Sequence, residues 1–144
     1  MRTTIEEAMK WICSMAGVFR MLAYATLAQA VAFGECRVPL GVVKVTLPAG
    51  LPPALSKAMG DVALPGEPFD AGDVYVKRHK HSRYIFVWNI GSRWIVATEQ
   101  GGKVLRAAIV AYDLGTDGKT ATVIDKRTTS PTNFCGAATK LAGR

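Results

Sequence analysis

Five short β-rich runs follow one another in the second half of this 144-residue chain, separated by segments too short for anything except turns. The runs span residues 74–79, 83–90, 93–98, 104–112 and 120–125, and β-branched and aromatic residues dominate them. A parallel connection needs a dozen or more residues, so separators such as Gly91-Ser92 force neighbouring strands to be antiparallel. The sequence therefore predicts a meander of about five antiparallel strands, either open or curled into a partial barrel.

Apolar residues occur on both faces of the predicted sheet. Side chains alternate between the two faces along a strand. In the second run, one face carries Tyr84, Phe86, Trp88 and Ile90, and the other carries Arg83, Ile85, Val87 and Asn89. In the third run, one face carries Trp94 and Val96, and the other carries Ile95 and Ala97. A sheet that is apolar on both faces needs cover on both. We expect the Pro- and Gly-rich segment to cover one face and a C-terminal helix over 132–141 to cover the other.

The Pro- and Gly-rich segment, residues 39–72, contains six prolines and five glycines and is predicted to be mostly loop. Within it, β-branched residues dominate the run 42–47, which is bounded by Pro39 and Pro48, and this favours a short strand. Residues 54–59 follow two prolines and precede Gly60, which favours one or two turns of helix. The predicted fold class is thus α+β, mainly β, and the sequence leaves the pairing of the first strand open.

Residues 1–32 differ in composition from the rest of the chain. Lys10 and Arg20 precede the apolar run 21–28, and small residues follow at alternate positions from Ala28 to Ala32, which is the layout of a cleaved secretory signal peptide. An uncleaved anchor and a soluble helix are the alternatives, but Arg20 divides the apolar stretch that an anchor needs. We therefore expect residues 33–144 to form one exported domain, periplasmic or extracellular, with no stable membrane span after cleavage.

Two of the three cysteines, Cys36 and Cys135, lie in the predicted exported domain, and Cys13 lies in the predicted leader. An even pair in an exported domain most often forms a disulfide. The bond would join the two ends of the domain across about 100 residues. A metal or reactive-thiol pair is the alternative, but the sequence contains no Cys-x-x-Cys.

Positive charge is concentrated in residues 77–83, a run of four basic residues, two histidines and one serine that the meander places at a hairpin tip. The chain as a whole carries a net charge of +7, and the predicted exported domain carries +6. We predict that the basic hairpin binds an anionic ligand or an acidic protein surface through Lys77, Arg78, Lys80 and Arg83. A solvated turn that blocks edge pairing is the alternative, and nucleic acid is not an expected partner.

Metal binding and catalysis find little support in the sequence. His79 and His81 would face one side of a strand and could hold a divalent cation, but the third ligand would have to be a carboxylate such as Asp73. Asp70 and Asp73 are close enough in sequence for acid–base chemistry, although such residues are more often turn formers. We expect no catalytic residues, no metal and no cofactor.

Three functions follow from these patterns. The preferred one is a small exported, non-catalytic binding module that presents the basic hairpin to an anionic partner. The first alternative is a small exported enzyme or metal-binding protein that uses His79, His81, Asp70 and Asp73. The second is a structural domain of an envelope complex, in which the charged hairpin only maintains solubility.

Overall fold

A five-stranded antiparallel sheet forms the centre of the structure, a computed structural model that describes residues 33–72 and 78–143. The chain divides into two units, Met1–Gly34 and Glu35–Arg144, and every element described below belongs to the second. The predicted leader, residues 1–32, and residues 74–77 of the predicted first meander strand lie outside the described residues. The elements, in chain order, are β1 (Val43–Lys44), α1 (Pro53–Met59), β2 (Ser82–Ile90), β3 (Arg93–Gln100), β4 (Arg106–Leu114), β5 (Ala121–Thr129) and α2 (Phe134–Ala142).

Tight turns connect the strands, and the strand order in the sheet is β1-β2-β3-β4-β5. Ile90 pairs with Arg93 across a two-residue turn, in which Gly91 adopts a φ of 63° that an L-residue rarely takes. The predicted α+β, mainly β class with an antiparallel meander of about five strands and two short helices is confirmed. The sheet is open, so the partial-barrel alternative is not adopted.

The membership of the sheet differs from the prediction at its first edge. The predicted strand 42–47 is reduced to β1, because the chain turns at residues 46–51, where the amide of Gly50 donates to the carbonyl of Thr46. β1 pairs antiparallel with β2, Val43 opposite Asn89, which resolves its pairing. Arg78 and His79, predicted to end the first meander strand, lie in a turn and a bend instead.

A β-bulge in β2 overturns part of the predicted face assignment. Tyr84 pairs with Thr98 and Phe86 pairs with Ala97, so Ile85 is an extra residue in this strand. The bulge moves Tyr84 onto the face of Val87, and both side chains belong to one core cluster. In β3 the alternation is uninterrupted, with Trp94 and Val96 on the face of this cluster as predicted.

The Pro- and Gly-rich segment covers that face. The core cluster consists of buried residues from α1, the following loop and three strands, namely Leu55, Val62, Tyr84, Val87, Val96, Val110 and Tyr112. Pro53 occupies the first helical turn of α1, where a missing amide donor costs nothing, and Gly60 ends the helix with a φ of 71°. Full burial of a side chain such as Leu55 contributes about 1.5–3 kcal/mol to folding, which explains how a two-turn helix is held in place.

Helix α2 packs against β3, β4 and β5, and its buried residues include Phe134 and Leu141. The rings of Phe86 and Trp88 are stacked with their centroids 4.3 Å apart, and Phe134 lies 6.2 Å from Phe86. This is the second cover that the two-sided apolar pattern of the strands required.

A disulfide joins Cys36 to Cys135 in α2, as predicted, with the two Cα atoms 5.3 Å apart and a sequence separation of 99. The bond ties the segment before β1 to the helix after β5. The two ends of the described domain therefore meet at one place.

Candidate functional site

The loop over residues 61–70 lies along the start of β2 and brings acidic side chains to the basic segment. The amide of Ala63 donates to the carbonyl of Ser82 and its carbonyl accepts from the amide of Tyr84, both at 2.9 Å. Farther along the loop, the amide of Asp70 donates to the carbonyl of Lys80 at 2.8 Å. These main-chain bonds form two isolated parallel bridges, Ala63 with Arg83 and Phe69 with Lys80, and place the acidic residues of the loop next to residues 78–83.

The carboxylate of Asp70 is 5% exposed and lies between two histidines. Its Oδ1 is 3.1 Å from Nδ1 of His79, and its Oδ2 is 3.6 Å from Nδ1 of His81. An ionised carboxylate only accepts hydrogen bonds, so the His79 ring at hydrogen-bond distance donates through Nδ1 and directs its other nitrogen, Nε2, away from Asp70. The arrangement resembles the carboxylate–histidine pairs that orient imidazoles in metal and catalytic sites.

Gly101 makes the position of Asp70 possible. A Cβ atom on this residue would lie 1.9 Å from the carbonyl oxygen of Asp70 and 2.7 Å from the main chain of Ala71. The backbone after β3 therefore approaches the loop more closely than any residue with a side chain would allow. The Gly101-Gly102 pair matches no phosphate-binding motif, and the close approach explains why glycine stands at its first position.

Lys80 is surrounded by acceptors from the same loop. Its Nζ lies 3.4 Å from Oδ1 of Asp61, 3.5 Å from Oε2 of Glu67 and 3.4 Å from the carbonyl oxygen of Val62. The amide of Leu64 donates to Glu67 Oε2 at 2.8 Å and, with a further contribution from the charge of Lys80, lowers the pKa of Glu67. Glu67 is thus held in the ionised form that pairs with Lys80.

Arg83 contacts a carboxylate, a main-chain carbonyl oxygen and an aromatic ring. Its Nε donates to Oε1 of Glu99 on β3, and the two side chains are 15% and 8% exposed. Its Nη1 donates to the carbonyl oxygen of Glu67 at 3.2 Å, and the guanidinium lies 4.5 Å from the centre of the Phe69 ring. The charge of Arg83 is therefore compensated inside the protein.

The four predicted anion-binding residues consequently fall into different environments. Arg78 is exposed in a turn, Lys80 and Arg83 contact carboxylates, and Lys77 lies outside the described residues, as does Asp73. The structure brings Asp70 together with both histidines. The acidic residues that compensate the basic run, Asp61, Glu67 and Glu99, stand in no recognisable sequence pattern.

The exposed surface of the domain keeps the basic excess of its composition, because as many acidic as basic residues of the described segments are buried or partly buried. Asp70 and Glu99 are buried and Glu67 and Asp125 are partly buried, which leaves four exposed acidic residues in the described segments, Glu35, Asp61, Asp113 and Asp117. Nine basic residues of the same segments are exposed, Arg37, Lys44, Lys57, Arg78, Lys103, Arg106, Lys119, Lys126 and Lys140. Exposed basic side chains thus outnumber exposed acidic ones by more than two to one.

Within residues 33–72 and 78–143, no three or more His, Cys, Asp and Glu side chains are grouped in a way that could hold a metal ion. Over the same ranges, no helix has the length and apolar character needed to span a membrane. Comparison of the chain with protein-family models, with curated proteins and with solved structures finds no match.

Proposed function

We propose that this chain is a small exported binding protein without catalytic activity, whose basic surface attracts an anionic partner. The observation that supports the proposal is the excess of exposed basic over exposed acidic residues. Such a surface raises the rate of encounter with anionic partners and disfavours basic ones. Export is inferred from the leader-like residues 1–32, and the disulfide between Cys36 and Cys135 is compatible with an oxidising compartment.

Within the basic segment, Lys77 and Arg78 are the residues that we assign to the partner. Lys80 and Arg83 would each have to leave a carboxylate in order to bind an external anion, and Arg83 would leave Glu99 buried and unpaired. Arg78 is exposed and stands in none of the ion pairs found in the described part of the chain. The proposed contact is therefore narrower than the whole run 77–83.

Retention on immobilised heparin, a sulfated polysaccharide, tests this function. We expect the protein to be retained at low salt and to elute as salt is raised, because ions screen contacts between exposed charges. Failure to bind at low salt would overturn the proposal.

The location of the contact is tested by two variants that each lose two positive charges. Lys77→Ser/Arg78→Ser removes the assigned residues, and Lys57→Ser/Lys119→Ser removes two exposed lysines elsewhere. A larger decrease in the eluting salt concentration for the first variant supports the assignment. Equal decreases would show that the whole surface, not this segment, binds the polyanion.

One second candidate function is the binding of a divalent metal by the two histidines that contact Asp70, His79 and His81, without Asp70 as a ligand. In a neutral ring that donates from Nδ1 to Asp70, Nε2 of His79 is the nitrogen with a lone pair, which is the form that ligates zinc. Calorimetric titration with Zn²⁺ tests this candidate. Binding that disappears in His79→Ala/His81→Ala supports a site there, and the absence of a binding signal in the wild type excludes it.

A further inference from the structure

A second feature of the surface is apolar and lies in the turn over Pro39–Val42. The amide of Val42 donates to the carbonyl of Pro39 at 3.2 Å, and Gly41 has a φ of 78°. Among the described residues only glycines have a positive φ, so Leu40 has a negative one. A residue with negative φ followed by a glycine with positive φ is the geometry of a type II turn, with Gly41 as its third residue. Leu40, the second residue, is fully exposed at the tip.

The exposure of Leu40 is not a local exception. Val43, three residues later in β1, is 62% exposed, so two large apolar side chains project from one short segment. An open hollow of about 700 Å³, lined by residues 37–42 and by Thr139 of α2, separates the turn from the helix. The turn therefore stands out from the domain.

The position of this turn is fixed on both sides. Cys36 precedes it and is bonded to Cys135, and β1 follows it and pairs with β2. The amide of Val45 also donates to the carbonyl of Val87 at 2.9 Å. Because folding already orders the turn, a partner that buries Leu40 does not have to order it again.

Basic residues lie on the segments that line or adjoin the hollow beside the apolar tip. Arg37 and Lys140 are exposed, and Lys140 directly follows Thr139, which lines the hollow. Lys44 is paired with Glu35 at 3.6 Å, but both side chains are largely exposed, so this pair is weak and easily exchanged for another anion. The segment thus combines an apolar tip with flanking positive charge.

We propose that the turn over Pro39–Val42 docks the protein onto an anionic lipid membrane surface. Leu40 and Val43 enter the boundary between headgroups and acyl chains, while Arg37, Lys44 and Lys140 lie among the lipid phosphates. A protein partner fits less well, because a stable protein interface buries about 800 Å² on each side around a packed apolar centre, whereas this turn is convex and small. The proposal rests on the basic surface of the proposed function, specifies the anionic partner as lipid, and adds this turn as a second contact, separate from the one assigned to Lys77 and Arg78.

Flotation with lipid vesicles tests the proposal, with protein purified from cells that express the full chain. The vesicles contain phosphatidylcholine alone or phosphatidylcholine with phosphatidylserine. We expect binding to the phosphatidylserine vesicles at low salt, and we expect Leu40→Ser to weaken it about tenfold or more, since burial of one leucine side chain accounts for that much.

Val104 supplies a matched control, because it is the same residue type as Val43 and has the same 62% exposure but lies in the β3–β4 connection. Val43→Ser is expected to weaken vesicle binding a few-fold, and Val104→Ser is expected to leave it unchanged. Equal effects of these two substitutions would overturn the proposal, as would wild-type affinity in Leu40→Ser.

A gain-of-signal variant keeps the test independent of lost stability. Leu40→Trp retains an apolar tip, and its fluorescence emission is expected to shift to shorter wavelength when phosphatidylserine vesicles are added. The corresponding Val104→Trp is expected to show no shift. An emission maximum of Leu40→Trp that does not move would overturn the proposal.

Binding to heparin distinguishes a failure of the lipid proposal from a failure of the proposed anion-binding function. If the wild type is retained on heparin but does not bind phosphatidylserine vesicles, the lipid proposal fails and the anion-binding function stands, with an acidic protein or a polysaccharide as the partner class. If the wild type binds neither, the proposed function fails as well. Leu40→Ser is expected to be retained on heparin like the wild type, because its charge is unchanged.

Discussion

Removing the charge of Glu99 is the sharpest test of how the basic segment is held. Glu99→Gln keeps the shape of the side chain but leaves the guanidinium of Arg83 at a site where the two side chains are only 8% and 15% exposed. Breaking a buried ion pair by removing one partner costs about 3–5 kcal/mol, because the remaining charge has lost its water without compensation. The hydrogen bond from Arg83 to Glu67 and the contact with Phe69 survive, so we expect a value of about 3 kcal/mol, near the lower limit of that range.

Urea unfolding followed by tryptophan fluorescence measures this change. With a dependence of the unfolding free energy on urea of about 2 kcal/mol per molar, the midpoint is expected to fall by about 1.5 M. The double variant Arg83→Met/Glu99→Leu removes both charges and is expected to recover most of the loss, since an apolar pair of similar size can replace a buried ion pair.

The pair of Asp125 and Arg127 is the matched control. These side chains lie on β5, are 33% and 32% exposed and are 3.6 Å apart, so Asp125→Asn is expected to cost no more than about 1 kcal/mol. If Glu99→Gln lowered the midpoint no more than Asp125→Asn does, the compensation of Arg83 inside the protein would be refuted. Arg83 would then return to the group of residues available for an external anion.

Three further predictions concern other parts of the fold. Gly101→Ala is expected to lower the melting temperature by several degrees, because its Cβ would overlap the carbonyl oxygen of Asp70. Gly72→Ala is the control and is expected to be tolerated, because a Cβ there meets open space. Equal effects of the two substitutions would contradict the close approach at Gly101. The variant Cys36→Ser/Cys135→Ser is expected to lose up to about 4.7 kcal/mol of unfolding free energy, the chain-entropy value for a loop of about 100 residues, and an unchanged urea midpoint would contradict it. Burial raises the pKa of Tyr84 in β2 and of Tyr112 in β4, so their phenolate absorbance is expected to appear above pH 10. The unfolding free energy that their neutral forms contribute is complete below about pH 10 and is expected to fall as pH rises through the folded-state pKa. Titration of every tyrosine at the ordinary pH would contradict this.

The strands of the meander could be predicted because local sequence determines them. Residues 83–90 and 93–98 are rich in β-branched and aromatic residues, and Gly91-Ser92 leaves no alternative to a hairpin. The extent of β1 depends instead on tertiary structure. Residues 45–47 favour a strand by composition, as Val43 does, but the turn at 46–51 takes the chain away from β2.

The bulge at Ile85 is invisible to a period-two analysis, and it changes which charges meet. Counting back without interruption from the pair of Ile90 and Arg93 places Arg83 opposite Gln100. The extra residue shifts the register by one, so that Arg83 pairs with Glu99 instead. A local irregularity thereby determines whether a buried arginine has a partner.

The basic segment could be predicted because its charges are adjacent in sequence, but the carboxylates that pair with those charges could not. The acids that compensate it come from a loop that sequence patterns describe only as Pro- and Gly-rich, and from a neighbouring strand. The contact between Asp70 and the histidines depends likewise on main-chain bonds between this loop and β2. Charge density along a sequence therefore overestimated the charge available at the surface of this segment.

The disulfide also makes the domain a covalent ring. Since the Cα atoms of Cys36 and Cys135 are 5.3 Å apart and Cys135 lies in the first turn of α2, the chain ahead of Cys36 leaves the domain beside the start of that helix. The order of the strands is then independent of where the polypeptide is opened, and a circular permutant opened in the exposed turn at residues 116–119 would keep every strand pair.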